Sequence, residues 1–154
     1  LCNLPFVALR FFTVYGPGQR PDLAIHKFTK ALLQEAPITM FGDGSTSRDY
    51  TYIDDIVQGI IGAIGYDKTP FEIINLGNSE TVSLKELIAH LEKITGKKAI
   101  IDQQPEQPGD VPRTYADVSK AKNLLGYNPQ TKIEDGLQHF YNWFKTNENI
   151  LMLP

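Results

Sequence analysis

Cysteine and histidine are scarce in this sequence. The single cysteine, Cys2, cannot form an internal disulfide, and the three histidines, His26, His90 and His139, lack the spacing of a metal site. No segment approaches the roughly 20 apolar residues that a membrane-spanning helix needs. The formal net charge of -3 at pH 7 gives no long-range attraction for nucleic acid. We therefore expect a cytoplasmic protein with no metal ion and with neither a membrane nor a nucleic acid as partner.

A dinucleotide cradle and a catalytic pair are missing too. No G-x-G-x-x-G run follows a predicted strand, and the turns Gly16-Pro17-Gly18 and Gly42-Asp43-Gly44 both lack the third glycine and the helix start of that motif. Tyr141 and Lys145 share one face of the last predicted helix, but no cofactor site lies near them in sequence. We interpret them as a surface pair and predict no catalytic residue in this chain.

The apolar pattern predicts one globular core of the α/β class. The chain has 154 residues, 42% of them hydrophobic, and begins at Leu1 without a methionine, so we expect part of a longer protein. The strand predicted at 6–15 is apolar on both faces, as in a buried parallel sheet, yet the downstream sequence shows no obvious neighbour for it. Further elements are predicted as strands at 38–41, 71–76 and 99–101, helices at 22–35 and 54–66, and helices capped by Ser83 with Glu86, by Asp117, and by Thr131 with Glu134.

Three arginines stand beside glycine-rich or proline-rich loops. Arg20 follows the Gly16 turn, Arg48 ends the Gly42 loop, and Arg113 closes the loop 105–112. A guanidinium on a rigid loop suits a diphosphate, because its planar fork of donors always carries charge. Composition alone leaves a solvated surface arginine as the alternative at each position.

A set of short motifs covers almost the whole chain. In order, they are Leu9-Arg10-Phe11-Phe12-Thr13-Val14-Tyr15-Gly16-Pro17, Arg20-Pro21-Asp22, Arg48-Asp49-Tyr50-Thr51-Tyr52-Ile53-Asp54-Asp55-Ile56, Asn75-Leu76-Gly77, Pro108-Gly109-Asp110-Val111, Ala116-Asp117 and Leu125-Gly126-Tyr127-x-Pro129. In order and spacing they resemble the NAD-dependent epimerases and dehydratases of the extended short-chain dehydrogenase/reductase family.

The resemblance implies a fold and a domain division. The chain would be the carboxyl-terminal portion of such a protein, with one strand of the Rossmann sheet and a small mixed α/β substrate-binding domain. Residues 1–20 would be the last part of the NAD-binding Rossmann domain, residues 21–146 the nucleotide-sugar-binding domain, and residues 147–154 a tail.

The resemblance also implies how the nucleotide would be held. Arg48 would hold the nucleoside diphosphate. The strand Thr39-Met40-Phe41 would meet uracil through backbone groups and the Phe41 ring, and Leu23 would contribute backbone nearby. A strand edge offers the paired donor and acceptor that an imide needs.

Three further residues would face the sugar. Thr13 would point at the C5 substituent, with Arg20 close to the sugar or diphosphate and Arg113 near the same mouth. A hydroxyl and a cation there suit a carboxylate better than a hydroxymethyl group.

The motifs are most similar to those of UDP-glucuronate 4-epimerases within the family. Many UDP-galactose 4-epimerases carry a second diphosphate arginine just before the Gly-Asp that corresponds to Gly109-Asp110, whereas this chain has Gln107-Pro108 there. That difference weakens a glucose/galactose reading and leaves the role of Arg113 open.

The implied function is that of a homodimeric nucleotide-sugar epimerase. NAD, bound by the amino-terminal half, would take hydride from sugar C4 and return it to the opposite face, while this chain holds the UDP-sugar and is inactive by itself. The alternatives are a UDP-glucuronate decarboxylase, a dTDP-glucose 4,6-dehydratase, or a non-catalytic nucleotide-binding or oligomerisation module.

Overall fold

The structure, a computed structural model, describes residues 4–148, so Cys2 and the predicted tail from residue 149 onward lie outside the described residues. In this range no helix is both long and apolar enough to cross a membrane. The strands are β1 (Phe6–Phe11), β2 (Thr13–Tyr15), β3 (Pro37–Phe41), β4 (Ser47–Arg48), β5 (Tyr50–Tyr52), β6 (Phe71–Leu76), β7 (Val82–Ser83) and β8 (Ile100–Gln104). The helices are α1 (Ala24–Leu33), α2 (Ile53–Ile64), α3 (Leu84–Thr95), α4 (Ser119–Leu125) and α5 (Ile133–Thr146).

The first apolar run changes its pairing partner at Phe12. Up to Phe11 it is β1 and pairs in parallel with β6; from Thr13 it is β2 and pairs in parallel with β5. At the change, the Phe12 amide donates to the Leu76 carbonyl at 3.1 Å and the Thr13 amide donates to the Asp49 carbonyl at 3.0 Å. The single strand predicted at 6–15 is therefore two strands, and its downstream neighbours, which were not obvious from the sequence, are β6 and β5.

That run is also less buried than its apolar pattern predicted. Phe6 is 55% exposed and Phe11 49% exposed within the described residues. The mixed α/β fold itself is confirmed, with parallel pairs β1–β6, β2–β5 and β3–β8 and an antiparallel pair β4–β7. The strands β1 and β2 precede residue 20, and each pairs with a strand that follows it. This pairing does not mark a boundary at residue 20, and the proposed domain division there stays a prediction.

Two groups of buried side chains form the core. The larger group joins α1, α3 and α5 to β2, β3 and β5, and its fully buried members include Leu32, Leu87, Leu91, Leu137 and Phe140. The smaller group lies between α2, β6 and α4 and contains Ile56, Ile74, Leu76, Ala121 and Tyr127. Burying one such aliphatic or aromatic side chain contributes about 1.5–3 kcal/mol.

The local sequence signal at the start of α3 is reliable. The capping box at the start of α3 is confirmed: Ser83 accepts from the Glu86 amide and Glu86 accepts from the Ser83 amide. At α4 the N-cap residue is Val118 and no side chain caps the helix, so the predicted Asp117 cap is wrong, although the Asp117 carboxylate accepts from the Ser119 amide.

Two further predicted caps are wrong. Both carboxylate oxygens of Asp22 accept from Arg20 instead, and α1 begins after Leu23 without a side-chain cap. The Thr131 amide donates to the Asp55 carboxylate, and α5 begins after Lys132.

His26 is a buried polar group inside the larger core. Its side chain is 1% exposed, both ring nitrogens lack a hydrogen-bond partner, and its ring packs edge-on against Phe144 at 5.0 Å and Phe140 at 6.1 Å between centroids. Burial lowers the pKa of His26, and the charge of Lys30 lowers it further. The ring is therefore neutral in the folded chain at neutral pH.

We predict that His26→Phe raises the free energy of unfolding by about 1 kcal/mol near neutral pH, because it removes two buried polar atoms without partners. Below the ordinary histidine pKa of about 6.5, the unfolded chain binds a proton that the folded chain does not. The contribution of His26 to stability is therefore fully present above about pH 6.5 and is lost as the pH falls toward the lower pKa of the folded chain. Urea unfolding across this range should show a smaller acid loss in His26→Phe than in the wild type.

The matched control is His139→Gln, which alters an exposed histidine. It should keep the acid loss of the wild type. If His26→Phe keeps the full acid loss, some other group causes it.

Candidate functional site

Three segments meet at the strand that carries Arg48. Ser47 pairs with Ser83 and Arg48 with Val82, and Ser47 forms a parallel bridge to Arg113. The Ser47 amide donates to the Pro112 carbonyl at 2.9 Å, and the Thr114 amide donates to the Ser47 carbonyl at 3.1 Å. The loop 105–113 is thereby fixed beside β4.

The Arg48 guanidinium is held by its own loop and by the neighbouring one. Nη1 donates to the carbonyls of Ser47 at 2.9 Å and Val111 at 2.6 Å, and Nη2 donates to the Asp110 carboxylate at 2.6 Å. The Arg48 side chain remains 24% exposed. These bonds use both N–H groups of Nη1 and one of Nη2, and the Asp110 carboxylate offsets part of the positive charge. The Nε–H and the second N–H of Nη2 are the donors that a fork fixed in this way can present to an anion.

Arg113 lies where the same segments meet, beside β4. Its guanidinium carbon lies 5.2 Å from the centroid of the Tyr115 ring, a cation–π contact at a surface position, since Tyr115 is 52% exposed. Its backbone bridges Ser47, the residue before Arg48.

Strand pairing places the Thr13 backbone close to the segment that carries Arg48. In the β2–β5 pair it lies opposite Tyr50, and its amide donates to the Asp49 carbonyl. Burial raises the pKa of Tyr50 to about 12, although Arg48 acts in the opposite direction. The phenol beside Thr13 is therefore neutral at neutral pH.

Asp49 is a site residue that was not predicted from the sequence, where it is one member of the motif that begins at Arg48. Its carboxylate is fully buried and accepts four hydrogen bonds: from the Thr51 hydroxyl at 3.1 Å and from the amides of Asn78, Ser79 and Ala116 at 2.8, 3.0 and 3.0 Å. The sequence did carry one signal for Asp49: its carboxylate stands next to the strand residues Tyr50 and Tyr52, which are expected to be buried. A carboxylate buried with them requires hydrogen-bond partners.

Arg20 and Leu23 line a small cleft of about 240 Å³, together with Gly16, Pro17 and Ile53 among others. The exposed Arg20 side chain forms a two-point pair with Asp22, at 3.0 and 2.6 Å. Its hydrogen bonds lower the pKa of the Asp22 carboxyl group.

Thr39 and Phe41 line a larger cleft of about 530 Å³, to which Asp22, Phe28 and Leu84 also contribute. Ile38 and Met40 are buried while Thr39 and Phe41 are exposed, as expected for alternating strand residues. In the part of the chain that the structure describes, β3 has one strand neighbour, β8, which leaves its other edge without a strand partner.

The seven predicted residues thus fall into three linked groups. Hydrogen bonds and strand pairing join Thr13, Arg48 and Arg113. The Arg20–Asp22 pair joins the two clefts, because Arg20 lines one and Asp22 the other. Leu84 of the larger cleft donates its amide to the Thr46 carbonyl, which connects that cleft to β4. Within residues 4–148, the Arg20 and Arg48 side chains do not contact each other directly.

A family model and several known proteins match the chain. The model described as GDP-mannose 4,6 dehydratase matches residues 2–140. A UDP-glucuronate 4-epimerase from Thermodesulfobacterium geofontis is 43% identical over 152 residues, which are 98% of this chain and 46% of that protein. The chain spans about half the length of the curated relatives it matches.

Solved structures match with high similarity of fold. The UDP-glucuronic acid 4-epimerase of Bacillus cereus, in complex with UDP-glucuronic acid and NAD, is 45% identical with a TM-score of 0.86, over 92% of this chain and 46% of that one. The UDP-glucose 4-epimerase of Thermotoga maritima, with UDP-glucose, is 32% identical with a TM-score of 0.85, over 92% and 46% of the two chains. This chain corresponds to the carboxyl-terminal half of the structures that contain NAD.

The close contact between Gly77 and the Asp49 region gives a testable prediction. A Cβ at Gly77 would lie 2.2 Å from the Ala116 Cβ and 3.1 Å from an Asp49 carboxylate oxygen. Gly77→Ala should therefore lower the free energy of unfolding by about 1–3 kcal/mol through overpacking, as measured by urea titration.

Gly65→Ala is the matched control, because a Cβ there meets no atom within 4 Å and the backbone φ is -90°. It should be neutral or stabilise by up to about 1 kcal/mol. Equal losses in both variants would contradict the packing at Gly77.

Proposed function

Because the chain belongs to the GDP-mannose 4,6 dehydratase family of NAD-dependent epimerases and dehydratases, we propose that it is the part of a nucleotide-sugar epimerase that holds the sugar nucleotide. The whole protein is proposed to be a UDP-glucuronate 4-epimerase, since relatives of that name are 43–45% identical to nearly the whole chain. The proposed role of this half is to bind and orient the substrate, and not to carry the reacting groups.

The preorganised Arg48 fork is the observation that carries this proposal. Its contacts with Val111 and Asp110 fix it at the end of β4, where part of it stays exposed. A diphosphate offers several anionic oxygens to planar donors, and an arginine already held in place loses little further side-chain freedom on binding.

The larger cleft supports a place for the base. The ring of Phe41 is 38% exposed there, and the free edge of β3 offers backbone donors and acceptors beside it. We propose that uracil lies against Thr39 and Phe41, with Leu23 nearby across the Arg20–Asp22 pair.

The group around Thr13 supports a place for the sugar. The Thr13 amide donates to the carbonyl of Asp49, the residue after Arg48, and the Arg113 backbone is bridged to Ser47, the residue before it. A hydroxyl with a cation nearby suits the carboxylate of glucuronate. For Arg20 to take part, its guanidinium must exchange the Asp22 carboxylate for the substrate.

The described residues do not build a dinucleotide cradle. A Cβ at Gly16 would lie 2.5 Å from Ile53, so that glycine permits close packing, and Gly18 has the positive φ of a turn, 77°. The next helix, α1, begins only after Leu23. We therefore propose that the NAD of this family is held by residues outside this chain.

A homodimer in the cytoplasm also remains a proposal. The helix α2 exposes Val57, Ile61 and Ile64 at 41%, 64% and 81%, at the spacing of one helix face. This face favours an apolar contact, either between copies or with other parts of a longer chain.

We predict that Arg48→Ala weakens UDP binding about 10- to 100-fold, because a charge-assisted hydrogen bond contributes about 1.5–3 kcal/mol and each tenfold in affinity corresponds to about 1.4 kcal/mol. Isothermal titration with UDP and with UMP measures this. The affinity gap between the two ligands should shrink in the variant, since Arg48 is proposed to contact the diphosphate.

Arg10→Ala is the control, because it removes the same charge from an exposed position on β1. It should bind UDP as the wild type does. A wild-type chain that binds no UDP, or equal losses in both variants, would refute the proposed role of Arg48.

We also predict that the 154-residue chain does not epimerise UDP-glucuronate in the presence of NAD. The reason is that the proposed role of this chain is to hold the substrate, and that its one Tyr-x-x-x-Lys spacing, at Tyr141 and Lys145, has the lysine paired with Glu148. Chromatography of the sugar nucleotides would detect the 4-epimer, with the Bacillus cereus enzyme as positive control. Turnover by the chain alone contradicts the proposal.

A further inference from the structure

The buried carboxylate of Asp49 connects the segments that surround Arg48. We propose that Asp49 is a positioning residue that fixes the Arg48 guanidinium for the diphosphate, and this inference rests on the proposed function. Asp49 is fully buried, so it acts on the ligand only through its neighbour.

The contacts of Asp49 form a closed ring that includes Arg48. The Arg48 guanidinium binds Asp110 and Val111. From Val111 the chain runs to Thr114 and Ala116, and both of these residues bind Asp49: the Asp49 amide donates to the Thr114 hydroxyl at 3.0 Å, and the Ala116 amide donates to the Asp49 carboxylate. Asp49 follows Arg48 directly, so the ring closes.

A second set of contacts ties this ring to the sheets. The carboxylate accepts from the amides of Asn78 and Ser79, which follow β6, and the Asp49 carbonyl accepts from Thr13 at the start of β2. The Ser79 hydroxyl donates to the Ala116 carbonyl at 2.7 Å, which joins the two loops to each other. Arg48 is thus positioned by three segments that are distant in sequence: Thr13, the residues 78–79 and the stretch 110–116.

The chemistry of these contacts requires a carboxylate. Three backbone amides and a hydroxyl all point donors at its two oxygens, and each oxygen accepts two of them. In Asp49→Asn, one oxygen becomes an amide nitrogen that carries hydrogens. At the position of Oδ1 this nitrogen leaves the Asn78 amide without an acceptor, while the Thr51 hydroxyl can turn to accept from it; at the position of Oδ2 it leaves the amides of Ser79 and Ala116 without one. Each buried donor left unpaired costs about 1–3 kcal/mol.

Asp55 provides a matched control within the same chain. It too is nearly buried, at 8% exposure, and its carboxylate accepts two backbone amides, those of Gln130 and Thr131, at 3.0 and 3.1 Å. Those contacts fasten the segment before α5 and not the loop 105–113. Asp55→Asn therefore makes the same chemical change and removes a comparable type of contact away from Arg48.

The first arm of the test is UDP titration of the 154-residue chain and its variants, at a temperature where thermal scans show each one folded. We expect Asp49→Asn to weaken UDP binding at least about tenfold and Asp55→Asn to stay within about twofold, while both lower the melting temperature. Thr114→Val, which removes the acceptor of the Asp49 amide and keeps the side-chain shape, should weaken binding in the same direction and tests the inference if Asp49→Asn does not fold. Equal affinities in Asp49→Asn and the wild type, or equal losses in Asp55→Asn, overturn it.

The second arm needs no ligand. Hydrogen exchange of the Thr114 and Ala116 amides, and the NMR signal of the Arg48 side-chain Nε–H, should change in Asp49→Asn and Thr114→Val and remain as in the wild type in Asp55→Asn. An unchanged Arg48 signal in Asp49→Asn overturns the positioning role. A wild-type chain that does not bind UDP refutes the proposed function. The exchange and NMR measurements then still decide whether Asp49 positions Arg48.

Discussion

The candidate site depends on one buried negative charge. Transferring an isolated carboxylate from water into a protein interior is very unfavourable, so Asp49 requires its four hydrogen bonds to be tolerated there. The same requirement makes it an effective constraint. Neither the loop after β6 nor the segment around Ala116 can move away without leaving the charge short of donors, and Arg48, next in the chain, is held as a result.

The change of strand partner at Phe12 explains why so many segments reach this charge. The parallel strands β1 and β6 end together, at Phe11 and Leu76. The chain then leaves them in two directions, through Thr13 toward β5 and through Asn78 toward β7, and both directions begin with a hydrogen bond to Asp49. In open α/β sheets, ligands bind outside the carboxyl ends of the strands, where chain directions diverge in this way. The position of the site therefore follows from the topology as well as from its charges.

The sequence predicted those features whose causes are local. The strand 71–76 and the Ser83–Glu86 capping box depend on residues within a few positions, and the structure confirms both. The failed cap at Asp22 has a local cause, since the neighbouring Arg20 binds its carboxylate. The failed cap at Thr131 and the missed Asp49 have partners that local patterns do not reveal. Thr131 binds Asp55, 76 positions away, and Asp49 binds Ala116, 67 positions away. The resemblance to a family selected the seven site residues, but it carried no information on which of them the fold links directly.

The net charge of the chain makes this positioning more important. A formal charge of -3 does not attract a diphosphate from a distance, so binding of the proposed ligand must come from short-range contacts at fixed donors. Arginine has about 2 kcal/mol of side-chain rotamer entropy to lose. At Arg48 the contacts with Ser47, Val111 and Asp110 impose much of that loss during folding, before any ligand arrives. Arg20 is exposed and pairs with Asp22, and no backbone carbonyl braces its side chain in the described residues. Arg48 is therefore the stronger candidate for holding the diphosphate.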